Sequence, residues 1–112
     1  MHRQLVGGLL LLTLLTAAAR VALADDRESF GQLMETATQK MHSEMHVELT
    51  GNPDRDFARM MIPHHQGAVD MALVELRYGR DERLRRLAQS IIVEQRQEID
   101  LMRLYLAGPD GQ

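Results

Sequence analysis

Between Phe57 and Met71 the sequence reads Phe-Ala-Arg-Met-Met-Ile-Pro-His-His-Gln-Gly-Ala-Val-Asp-Met. This stretch holds two of the chain's five histidines and three of its eight methionines. Imidazole and thioether are neutral N and S donors, the set that soft and borderline metal ions accept. Upstream, Met41-His42-Ser43-Glu44-Met45-His46 repeats the pairing. Every histidine after residue 24 lies in one of these two clusters, and the chain has no cysteine. Thioether with imidazole and no thiolate favours Cu(I), with Ag(I) as its mimic, over zinc. Four histidines could still form a tetrahedral set, so zinc or Cu(II) at His42 and His46 stays open.

Helical geometry sorts these donors, because residues four apart stack on one face. The pairs are Met41 with Met45, His42 with His46, Met60 with His64, and Met61 with His65. Met71 returns to the row of His64 two turns on. The expected inward site is therefore Met60, His64 and Met71 aimed at Met41 and Met45. His65 with Met61 falls about 100° round that helix, and His42 with His46 falls on the flank of the first. A methionine stripe at helical spacing is by itself an ordinary way to fill a core. Packing explains the methionines but not why the histidines track them.

Three helices must carry these residues. The apolar spacing predicts one from about Arg27 to Leu49, with Ser29 as its cap and Phe30, Leu33, Met34, Ala37, Met41 and Met45 on one face. It stops at Thr50-Gly51-Asn52-Pro53, where a glycine can take positive φ and a proline follows. A second helix, capped by Asp54 or Asp56, runs to about Tyr78 before Gly79. Phe57, Met60, Met61, His64, Ala68, Met71, Ala72 and Glu75 share one broad face, and Ile62, Val69, Leu73 and Leu76 add a second flank. A helix apolar over more than half its circumference is buried on several sides.

Pro63 interrupts this second helix. We read it as a kink that turns His64 and His65 toward the first helix; the alternative is that the helix proper starts at Pro63. A third helix, from about Asp81 to Leu106, turns Leu84, Leu87, Ala88, Ile91, Ile99 and Met102 inward. Gln95 and Glu98 break that stripe, either as hydrogen-bond partners of a ligating imidazole or as ordinary interhelical contacts. Residues 108–112 form a frayed tail. Short connections favour an all-α, antiparallel, up-down-up three-helix bundle, which a homodimer would complete.

Residues 1–24 read as a secretory signal peptide, with Arg3 before an apolar run and Ala22-Leu23-Ala24 as the cleavage site. An uncleaved membrane anchor is the competing reading, although the run is shorter than the ~20 residues a spanning helix needs. Residues 25–112 then form a single exported domain, with no membrane association after cleavage. Removing two of the 13 basic residues leaves 11 against 16 acidic, a formal net charge of −5. Such a charge disfavours nucleic-acid binding, and the absence of cysteine excludes a disulfide framework. Enzyme signatures are missing: the sequence holds neither Glu-x-x-His nor His-Glu-x-x-His.

Asp54-Arg55-Asp56-Phe57, Met60 through Ala68 and Met71-Ala72 together resemble the signature of a family known as domain of unknown function 305, the CopM-like exported proteins. The similarity extends upstream to Met41-His42, Met45-His46 and Thr50-Gly51, and downstream to Gln95, Glu98-Ile99 and Met102. The resemblance implies a ferritin-like helical bundle, periplasmic or otherwise extracytoplasmic, with copper-binding members linked to copper resistance. By position, Met41, Met45, Met60, Met61, His64, His65 and Met71 match the family's Met/His-rich segments, and His42 and His46 are carried over beside them. The function expected is sequestration or transfer of Cu(I), and the alternative is a helical interaction module with a Met-rich core and no metal.

Overall fold

The computed structural model describes residues 3–111, and the side chains of all of these except 3–15 and 24. Three helices follow one another, α1 (Arg3–Met45), α2 (Pro53–Tyr78) and α3 (Glu82–Ala107), with a short 3-10 turn at Pro109–Gly111. No strand occurs among the described residues. The chain divides into two compact units, Met1–Gly31 and Gln32–Gln112.

In the first unit α1 is helical without a break, so Ser29 caps nothing. The alanines at 17–19, 22 and 24 are the strongest helix formers, and no proline precedes Pro53 to stop propagation. From Thr16 to Glu28 the described side chains are exposed. Among the described residues no helix is long and apolar enough to cross a membrane.

In the second unit α1 ends at Met45, four residues before the expected Leu49, and residues 46–50 leave the helix. Gly51 takes φ +89°, the left-handed turn expected of it. The cap of α2 is neither Asp54 nor Asp56. Asn52 accepts from the Asp54 and Arg55 amides at 3.1 and 3.2 Å, with Pro53 in the first helical position, where a missing N–H costs nothing.

Asp56 does different work. Its buried carboxylate accepts from the Thr50 amide at 3.0 Å, the Thr50 hydroxyl at 2.7 Å and the Gly51 amide at 3.2 Å. Arg59 continues the attachment by donating to the Glu48 carbonyl at 3.1 Å. The connecting loop is thereby folded back along the first turns of α2.

Helix α2 passes through Pro63 without interruption, so the alternative start at Pro63 is overturned. Asp81 caps α3 as expected, accepting from the Arg83 and Leu84 amides. Arg85 then reaches back to the Leu76 and Gly79 carbonyls at 2.6 and 3.0 Å, satisfying acceptors that the end of α2 leaves open. These contacts set α2 and α3 antiparallel around a narrow core of Val69, Ala72, Ala88 and Ile92, flanked by Leu76 and Ile91. The tail is not frayed as far as Gly111. Tyr105 donates its hydroxyl to the Asp110 carbonyl at 2.9 Å, and Gly111 is buried where a Cβ would lie 2.4 Å from the Tyr105 carbonyl oxygen.

Candidate metal centre

The inward face of α2 takes in only part of the surface the periodicity selects, Ala72 and Val69 but not Phe57 or His64. Ala58, Val69 and Ala72 are buried, and so are Asp56, Pro63, Gly67 and Val74, while Phe57 is 62% exposed and His64 is exposed. Small residues decide this. Ala58, Ala72 and Ala88 admit close helix approach, so α3 settles on the row that contains His65 and leaves the row of Phe57 and His64 open. His65 rather than His64 is therefore the inward histidine, with only 12% of its side chain exposed.

The ring of His65 is held from across the bundle. Its Nε2 is hydrogen-bonded to the Glu98 carboxylate of α3. A carboxylate only accepts, so Nε2 carries the proton. In the neutral ring Nδ1 then presents a lone pair, and Nδ1 is buried with no hydrogen-bond partner. Buried polar atoms are ordinarily satisfied. An imidazole held at one N–H by a carboxylate, with its other nitrogen free of hydrogen bonds, shares that one feature with metal-ligating histidines. Met61, four residues before, lies on the same row of α2. The His64 ring stands 5.9 Å from that of His65 at 59°, on the exposed side.

A second group forms where α1 meets α2. Gly67 is a notch: a Cβ there would lie 2.7 Å from Met41 Sδ and 2.9 Å from Met41 Cβ and Cγ. The Met41 thioether is thus seated on the α2 backbone between the turns that carry His64 and Met71. Met41, Met45, Met60 and Met71 are all half-buried. His42 and His46 are exposed, on the last turn of α1 and just beyond it.

Among the described residues no three His, Asp or Glu side chains gather closely enough to hold a metal ion. The residues that periodicity did not reveal are Gly67 and Asp56. A glycine inside a strong helical run signals a close approach, but it does not say what approaches.

The fold is therefore that of an all-helical protein carrying thioether and imidazole donors on its central helix. The chain belongs to the domain of unknown function 305 family, whose sequence pattern it matches over residues 11–106. No curated protein matches it.

Proposed function

We propose that this is an exported protein that binds Cu(I), and Ag(I) in its place, through methionine and histidine side chains, serving copper sequestration, transfer or resistance. The observation that carries this reading is the buried, unpartnered Nδ1 of His65, oriented by Glu98. His65 supplies the imidazole and Met61 the nearest thioether on its row. Met41 at the Gly67 notch, with the half-buried Met45, Met60 and Met71, supplies further thioethers, and His64, His42 and His46 are outer donors. The helices act as an up-down-up, ferritin-like scaffold for these groups, and export removes residues 1–24 into a periplasmic or extracytoplasmic setting. Thioethers suit that setting because they neither oxidise to disulfides nor need deprotonation. The role is binding rather than catalysis.

One observation favours a second reading, a metal-free interaction module. Phe57, Leu84, Leu87 and Leu101 leave an apolar face exposed. The two readings part in a competition titration of the purified protein against a chromogenic Cu(I) chelator. Copper binding requires the wild type to draw Cu(I) from the chelator at sub-micromolar free copper and His65→Ala to lose most of that ability. Failure of the wild type to compete leaves the interaction module.

A further inference from the structure

Helices α2 and α3 each carry a second seam beside the one that joins them. On α2 it is Phe57, Met61, His64, Ala68, Met71 and Glu75; on α3 it is Leu84, Leu87, Ile91, Glu94, Glu98 and Leu101. Both run in unbroken steps of three and four, the spacing by which one helix pair interlocks with another. The seams lie on the same side of the hairpin. They line two open apolar grooves, one of about 330 Å³ between Ala68, Met71, Leu84 and Leu87, the other of about 380 Å³ between Phe57, Leu101 and Tyr105. Leu84, Leu87 and Leu101 are 53%, 54% and 66% exposed. Monomeric proteins rarely leave so continuous an apolar strip uncovered.

We propose that a second copy of this chain docks on this face, two α2–α3 hairpins closing into a four-helix bundle, and that the dimer gathers His64 and Met71 from both copies into a shared site for soft cations. Three features point to a second copy. The matched heptad steps on both helices fit a partner of the same hairpin geometry. Polar residues of opposite character sit in the middle of the face, His64 on α2 and Glu94 on α3, both exposed, with Phe57 and Leu101 toward one end and Leu84 and Leu87, beside Glu75, toward the other. A two-fold axis through that middle sets His64 of each copy opposite Glu94 of the other, and each apolar groove against the far groove of its mate. The area also suffices. Two 26-residue helices side by side present roughly 39 by 20 Å, close to the ~800 Å² per partner of a standard specific interface.

The shared cation site rests on the copper reading above; the interface does not. The mass of the metal-free protein at tens of micromolar, measured by light scattering or sedimentation, tests the interface alone. The expected result is twice the chain mass for the wild type, and the single chain mass with helical circular dichroism retained for Leu87→Glu and Leu101→Glu, which alter exposed positions at opposite ends. A monomeric wild type, or folded variants that still dimerise, overturns the interface. The shared site is read by Cu(I) stoichiometry, which should fall in the monomeric variants and in His64→Ala while binding dependent on His65 persists. Unchanged stoichiometry in all three overturns it. Absence of any copper binding by the wild type defeats the functional reading and the shared ion together, and the mass still decides the interface.

Discussion

At the scale of single residues, the copper reading proposed above rests on His65 and Glu98. The Glu98 carboxylate fixes both the tautomer and the ring orientation of His65, so removing it should weaken the site without deleting a ligand. Glu98→Ala is expected to lower Cu(I) affinity by about 10- to 100-fold, the cost of losing such an outer partner, as measured by chelator competition. Asp56 is a different kind of residue, a structural anion. The Thr50 amide, the Thr50 hydroxyl and the Gly51 amide hold its carboxyl below the ordinary carboxylate value. Because its folded-state pKa is depressed, Asp56 contributes stability above the unfolded value of about 3.9, and that contribution disappears as pH falls through the folded value. The thermal midpoint of the wild type should therefore drop as pH is lowered from about 5 to 3, and Asp56→Asn, weaker at neutral pH, should drop less over the same range.

At the scale of the element, α2 does most of the positioning, and its glycine matters as much as its histidines. Placing a methyl group at Gly67 improves helix propensity by about 1 kcal/mol, yet it must displace Met41, and overpacking of this kind costs about 1–3 kcal/mol. The clash should win. Gly67→Ala is expected to be less stable than wild type in urea unfolding, and Gly67→Ala with Met41→Ala to recover part of the loss, a non-additivity that marks direct contact. At the other end of the helix, Asn52→Ala removes the cap of α2 and should cost about 1 kcal/mol. Much of this element was legible in advance: its extent, the left-handed Gly51 before it, the Asp81 cap after it, and Glu98 as a candidate partner for an imidazole. Its inward face was not. Apolar residues cover more than half of α2, so periodicity alone cannot rank the rows of His64 and His65, which differ by about 100°. The choice was made by alanines on both helices that let α3 approach one row, a pairwise property that neither segment displays alone. The cap was obscure for a related reason, since Asn52, Asp54 and Asp56 all offer suitable side chains within five residues and only the loop path assigns them.

The unit from Gln32 to Gln112 is a hairpin of two long helices with a thin core, met at one notch by the end of α1. Its buried hydrophobic side chains are small, four alanines and two valines, with Ile92 and Ile99 the largest. Such a hairpin gains from any ligand that bridges its elements, because binding only the folded state adds stability through mass action. Cu(I) or Ag(I) at a hundredfold excess over its dissociation constant should add about 2.7 kcal/mol, seen as a rise in the thermal midpoint that His65→Ala suppresses.

The central claim, that the unpartnered nitrogen of His65 is a copper ligand, is tested most directly by Cu(I) competition with a chromogenic chelator across wild type, His65→Ala and His42→Ala. The prediction is competition by the wild type, at least a tenfold loss on removing His65, and little change on removing the exposed His42. Equal competition by wild type and His65→Ala, or none by either, contradicts it.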